Sequence, residues 1–184
     1  LFFPPRTLGS ETYKDLGLGL QALSGSLKNL TISLARNSEL DTERIGYVTA
    51  GIKTLEILSS LYLKLSHCQI SSEGMRLIAE SIDGLGNLKA FTLDLSSPIN
   101  RPPPAAQKQS FFSFFKKKVE KTGLEYFGPV FQRHKRLSYL ALLLYGQRPN
   151  IEEFEVLASG IEGLKTLNCF VLWSDDKRKS NELF

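Results

Sequence analysis

Few side chains in this sequence could do covalent or metal chemistry, and their spacing is poor for it. His67 precedes Cys68, which could supply a thiol–imidazole pair, but neighbours at a strand end point to opposite faces. Gly17-x-Gly19-x-x-Ala22 has the form of a dinucleotide-binding fingerprint. That fingerprint needs a strand directly before it and an acidic residue roughly twenty positions later. What precedes it here is Gly9-Ser10-Glu11-Thr12-Tyr13-Lys14, which reads as a helix start, so the glycines read as helix-face packing residues. Glu73, Glu80, Glu152, Glu153 and Glu155 fall on helix faces with no partner at metal-ligand spacing. Asp175-Asp176, followed by Lys177-Arg178-Lys179, reads as a solvated end. The expectation is a protein that is not an enzyme, with no catalytic constellation, no cofactor, no metal and no small-molecule substrate.

Bulk properties agree with a chain that buries a core. Of its 184 residues, 42% are hydrophobic and 23% charged, the balance of a globular protein. Apolar runs such as Ala141–Tyr145 fall far short of the ~18 to 20 residues that a spanning helix needs. Cys68 and Cys169 lie about a hundred residues apart and form no CxxC pair, so neither a disulfide framework nor a zinc site is signalled. An intracellular, reducing compartment is expected. The chain begins with Leu1 rather than Met, which suggests a fragment or a processed product in which a targeting segment would not be visible.

Positioning such residues requires regular elements, and these repeat. Five alternating apolar segments line up: Leu30-Ile32-Leu34, Leu61-Leu63-Leu65, Phe91-Leu93-Leu95, Leu140-Leu142-Leu144, and Phe170-Leu172 with Ser174 in the last place. Alternation at period two over so few residues predicts short, half-buried strands. Upstream of each, apolar residues fall at threes and fours, as in Leu77, Ile78, Ile82 and Leu85, or Phe154, Leu157, Ala158, Ile161 and Leu164, which predicts helices. Residues 76–95 and 155–174 share the ladder Ile-x-x-Leu-x-x-Leu-x-x-Phe-x-Leu, and residues 52–63 keep its spacing. In this frame His134 occupies the place of Leu85 and Leu164, which predicts a partly buried structural histidine.

The segment Leu63-Lys64-Leu65-Ser66-His67-Cys68-Gln69-Ile70-Ser71-Ser72-Glu73-Gly74 resembles the LxLxx(N/C)xLxxxG signature of the leucine-rich-repeat family in its long helical subtype. Cys68 stands in the Asn/Cys ladder place and Asn37 in the same place one repeat earlier. Pro98 and Gln147 hold the matching places later and depart from the pattern. The resemblance covers roughly residues 10 to 175. It implies an α/β fold: a right-handed, ribonuclease-inhibitor-like solenoid with about five parallel strands on the concave face and helices on the convex face. It implies no single function. The expected organisation is one domain, 1–184, with a Pro-rich, Phe–Lys insert at about 97–120.

The outward residues of the strands, in chain order, are Thr31 and Ser33, Tyr62 and Lys64, Thr92 and Asp94, Ala141 and Leu143, and Val171 and Trp173. The column turns from polar to apolar, and with Tyr145 its end forms a patch around the only tryptophan. Such patches mark contact surfaces, or are covered from within the chain, here by the insert or by Asn181-Glu182-Leu183-Phe184. Tyr62, Lys64, Asp94, Leu143, Tyr145, Val171 and Trp173 are the expected partner-binding residues.

The insert opens with Pro102-Pro103-Pro104, an extended and unpaired chain, and continues Phe111-Phe112-Ser113-Phe114-Phe115-Lys116-Lys117-Lys118. Between Arg101 and Lys121 there are six basic residues and one acidic, Glu120, so the chain's positive charge is concentrated there. As a helix, Phe111, Phe114, Phe115 and Val119 share a face with lysines at its flank. The readings are docking on the chain itself or on a protein partner, lying on an anionic membrane, contacting RNA through stacking and charge, or disorder. The function read from the sequence is a non-enzymatic protein–protein interaction module, a scaffold or accessory subunit of a larger assembly. Its alternative is a membrane-surface or RNA-contacting adaptor working through the insert.

Overall fold

The computed structural model describes residues 9–97, 121–147 and 149–174. The insert phenylalanines and lysines, Pro98, and residues 175–184 lie outside the described residues. Helix and strand alternate along the chain: α1 (Ser10–Ala22), β1 (Asn29–Ser33), α2 (Thr42–Lys53), β2 (Ser60–Lys64), α3 (Ser72–Asp83) and β3 (Ala90–Asp94). After the insert come a 3-10 turn (Leu124–Tyr126), α4 (Phe127–Arg133), β4 (Tyr139–Leu143), α5 (Ile151–Glu162) and β5 (Cys169–Trp173).

The five strands form one parallel sheet in sequence order. Its register sets Leu30, Leu61, Phe91, Leu140 and Phe170 side by side, and Ile32, Leu63, Leu93, Leu142 and Leu172 in the next row. These are the alternating positions of the sequence repeat, and a slip of one residue would turn every one of them to the other face. Each helix packs against the next, α1 on α2 through to α4 on α5. The inward strand residues and the apolar helix positions join in one continuous core.

Local chemistry explains where the helices begin. Asp41 accepts the N–H of Arg44 at 2.9 Å, Ser71 that of Gly74 at 3.0 Å, and Asn150 that of Glu153 at 2.9 Å, each covering an N–H that has no partner within its helix. Helix α4 is only seven residues long and has no such cap. Phe127 and Phe131 compensate by filling the interior beside Phe91, with ring centroids 5.8 to 6.3 Å apart. Gly17 packs as its helix-face reading predicts: a Cβ there would stand 2.3 Å from the Tyr47 carbonyl oxygen. Gly128 and Gly160 bring α4 and α5 together in the same way, whereas Gly19 faces open space.

The turns after the strands stack on one another. Arg36, His67 and Gly146 hold the same repeat place and all adopt positive φ, at 62°, 63° and 79°. At the following place, the side chains reach back toward the preceding unit. Asn37 Nδ2 donates to the Tyr13 hydroxyl, Cys68 Sγ to the Leu34 carbonyl at 3.1 Å, and Gln147 Nε2 to the Leu95 carbonyl at 2.8 Å. Gln147 therefore does the work of the ladder residue despite its departure from the pattern, because its longer amide side chain still delivers an N–H to the carbonyl one unit back. His67 is exposed while Cys68 is buried, which separates the two groups that stood adjacent in sequence.

Candidate partner-binding surface

The outward sheet face carries the expected gradient with two corrections. Tyr62, Lys64 and Thr92 are half-buried and polar. Asp94 was expected to face a partner but is only 5% exposed. Its carboxylate accepts from the backbone N–H of Ser96 at 2.9 Å and from the Ser96 hydroxyl, so it is occupied in holding the turn after β3. Burial raises the Tyr62 phenol above its ordinary value, and the nearby Asp94 charge adds to the rise. Ala141 is buried and Leu143 half-buried. The exposed large apolar residues of the face are Tyr139, Tyr145, Val171 and Trp173, at 37%, 45%, 37% and 69% exposure. The β4–β5 register places Leu143 beside Trp173 and Ala141 beside Val171, so the tryptophan stands at the end of an apolar row on adjacent strands.

The second correction concerns β5. Phe170 and Leu172 occupy inward places, yet each is 42% exposed, while the equivalent Phe91 and Leu93 are fully buried. Both faces of β5 are open. Strand alternation alone could not show this, since an inward residue is covered only if another unit packs beyond it.

The two ends of the insert are held close to this surface. The Ser97 N–H donates to the Tyr145 carbonyl at 2.7 Å, bringing the departure point alongside the turn after β4. The return point is held by Glu153, which sequence reading left on a helix face but which is only 1% exposed. Its Oε1 accepts from Thr122 N, Thr122 Oγ1 and Gly123 N at 2.6, 2.9 and 2.9 Å, and its Oε2 from Asn150 N at 2.8 Å. Burial pushes this carboxyl up, but the hydrogen bonds from Asn150, Thr122 and Gly123 outweigh it and hold the group below the usual carboxylate value. Glu153 at the third helical position suggests a capping box, but its contact with Thr122, 31 residues away, has no sequence signal.

His134 is buried and its Nε2 lies 3.0 Å from the Ile82 carbonyl, in the place of Leu85 and Leu164. Among the described residues, no group of three or more His, Cys, Asp or Glu is placed to hold a metal ion. Among the same residues, no helix is long and apolar enough to cross a membrane. Both cysteines are free, Cys68 buried in the turn after β2 and Cys169 exposed at the start of β5.

No protein-family model matches the chain, and no curated protein matches it. Among solved structures it is similar to one titled Leiomodin-1 Actin-Binding Site 2 (ABS2), at 8% sequence identity and a TM-score of 0.57, covering 86% of this chain and 77% of that one. It also aligns with the tropomodulin C-terminal domain of Caenorhabditis elegans at 10% identity and a TM-score of 0.38, over 85% of this chain and 93% of that one. The leiomodin likeness is one of fold, and the five-stranded parallel α/β arrangement is consistent with a leucine-rich-repeat type of architecture.

Proposed function

We propose that the chain is a non-enzymatic protein–protein interaction module, a ribonuclease-inhibitor-like leucine-rich-repeat solenoid formed as a single domain and serving as an intracellular scaffold or accessory subunit of a larger assembly. The observation that carries this reading is the apolar row on the outward face of β4 and β5, with Trp173 at 69% exposure beside Leu143, Tyr145 and Val171. Aromatic residues of this kind dominate binding energy where they are enclosed by a partner, each contributing about 2 kcal/mol or more. Tyr62 and Lys64 supply the polar flank, and the insert adjoins the row through the Ser97–Tyr145 hydrogen bond. The fold likeness to an actin-binding site makes actin the first probe.

The test places a photo-crosslinking side chain at Tyr145 and, as control, at Glu80 on the exposed side of α3. The expected result is a discrete protein adduct from Tyr145, absent from Glu80 and lost with Trp173→Ser. Equal adducts from both positions would overturn the reading. The three consecutive lysines 116–118 favour a second reading, contact with an anionic membrane or RNA. If phenylalanines carry the docking, Phe111, Phe114 and Phe115 changed to serine abolishes binding, at roughly 1.5 to 3 kcal/mol for each ring buried. Lys116, Lys117 and Lys118 changed to glutamine then weakens it mainly at low salt. The reverse order, with steep salt dependence on anionic vesicles or RNA, establishes the second reading instead.

A further inference from the structure

Each helix is joined to the strand that follows it by a short turn, and these turns lie side by side along one edge of the fold. Their backbones form a ladder. The Ser59 N–H donates to the Lys28 carbonyl, the Lys89 N–H to Ser59, the Ser138 N–H to Lys89 and the Asn168 N–H to Ser138, each at 2.8 Å. Side chains brace the same edge: Asn87 Nδ2 donates to the Glu56 carbonyl at 2.9 Å, Arg136 Nη1 to Asn87 Oδ1 at 2.7 Å, and Thr166 Oγ1 to the Leu137 carbonyl at 2.8 Å.

This edge is basic. Lys28, Lys89, Lys135, Arg136 and Lys165 stand in the turns and Lys53 at the end of α2, all of them exposed. Among the described residues, none of these lysines has an ion-pair partner. Glu56 is the one acidic residue in the turns. At the opposite edge, where strands end and helices begin, the sign reverses, with Glu39, Asp41, Glu43, Glu73 and Glu152 exposed. Helix dipoles favour this polarity, and Lys53 in the last turn of α2 is explained by them. Lys28 and Lys89 lie well past the ends of α1 and α3, beyond the reach of that effect.

We propose that the basic edge is a docking surface for an acidic segment of a partner polypeptide. Four strand steps make it about 19 Å long, a length that about six residues of extended chain span. Its chemistry selects carboxylates over phosphates. Phosphates are held by backbone N–H groups, helix N-termini and arginine forks. Here the turn N–H groups are engaged in the ladder, the helices present their C-termini, and Arg133 and Arg136 are held by Asp83 and Asn87, each at 2.7 Å. The lysines are what remain, and they pair with carboxylates as point charges. Glu56 sits in the unit between those of Lys28 and Lys89, where a flat anionic bilayer would meet it and be repelled, whereas a polypeptide can set an uncharged side chain against it. The chain's own insert does not suit the edge. Its two ends, Ser97 and Thr122, are held at the opposite edge by Tyr145 and Glu153, and its charged residues are mostly basic. The edge is separate from the outward sheet face, so this inference does not depend on the partner-binding reading of Trp173.

Fluorescence anisotropy of a labelled ten-residue oligoglutamate, titrated with the full chain in about 20 mM salt, tests the proposal. Micromolar binding is expected, weakened about tenfold or more when Lys28, Lys89 and Lys165 are changed to glutamine. All three side chains are exposed, and circular dichroism checks that the variant is folded. Glu56→Gln, which removes the repelling charge, tightens binding by about threefold. Lys116, Lys117 and Lys118 changed to glutamine leave it unaltered. Absence of binding at about 100 μM overturns the proposal, as does binding that the insert lysines carry and the edge lysines do not. Tighter, edge-dependent binding of a ten-nucleotide oligouridylate or of phosphatidylserine vesicles also overturns it, and assigns the edge to nucleic acid or to membrane instead.

Discussion

Glu153 receives both the backbone N–H and the hydroxyl of Thr122, at 2.6 and 2.9 Å, across 31 residues of sequence. With Gly123 N and Asn150 N also donating to it, one carboxylate ties the return of the insert to the start of α5. Glu153→Gln keeps the size but turns an N–H group toward donors, so it should cost about 2 to 3 kcal/mol of unfolding free energy. The carboxyl is held below its ordinary value of 4.5, so its contribution is present above that pH and lost as pH falls through the depressed folded value. Urea midpoints measured across acid pH should show a steeper acid loss in the wild type than in Glu153→Gln.

His134 produces a separate pH dependence at higher pH. Burial lowers its pKa from 6.5, with the Ile82 carbonyl only partly offsetting the effect, so the folded chain holds the ring neutral. The unfolded chain takes up a proton as pH falls below 6.5, so stability is complete above that value and declines until pH passes the depressed folded value. His134→Leu should remove this slope at little cost, because Leu85 and Leu164 fill the same place and the Ile82 carbonyl keeps the N–H of Leu85 at 2.8 Å. Thermal melts at pH values on either side of 6.5 are the measurement. A slope unchanged in the variant would place its origin elsewhere.

The sheet register is tested by adjacent residues of β3. Leu93 is fully buried between Leu63 and Leu142, so Leu93→Ala should cost about 2 to 5 kcal/mol through the cavity it leaves. Thr92 faces outward and is half-buried, and Thr92→Ala should stay within about 0.5 kcal/mol. Equal losses in chemical unfolding would contradict the register.

The two thiols should react at very different rates. Cys68 is buried with its thiol on the Leu34 carbonyl, and burial raises its pKa above 9.0, both of which suppress the thiolate. Cys169 is exposed. In dilute native protein, an alkylating reagent should modify Cys169 alone, and unfolding without reductant should release Cys68 as the second thiol. Mass spectrometry of the labelled peptides distinguishes the two.

The architecture was legible because its signal is periodic. Leu61, Leu63 and Leu65 alternate, Ile52, Leu55 and Leu58 step by threes, and the same figure recurs about every thirty residues, so strand, helix and register follow from spacing alone. The place of His134 followed from the same frame. Other features carried no periodic mark. Glu153 looks like Glu152 and Glu155 in sequence, and only the return of the chain at Thr122 makes it a buried acceptor. Gln147 breaks the ladder in letters while keeping its hydrogen bond, because what the turn requires is a donor at the right reach, an N–H from Gln147 as an S–H from Cys68, rather than one residue type.

By itself, then, the sequence determined the repeating unit and the inward and outward parity of each strand, since both depend on neighbours along the chain. Tertiary structure decided which of those positions are covered. Phe91 and Phe170 occupy the same place in the same unit, and one is sealed while the other is 42% exposed, because burial is conferred by the next unit in space. Asp94 shows the converse: outward by parity, it is nonetheless enclosed and bound to Ser96. Parity is a local property of the backbone, whereas exposure depends on what packs beyond it.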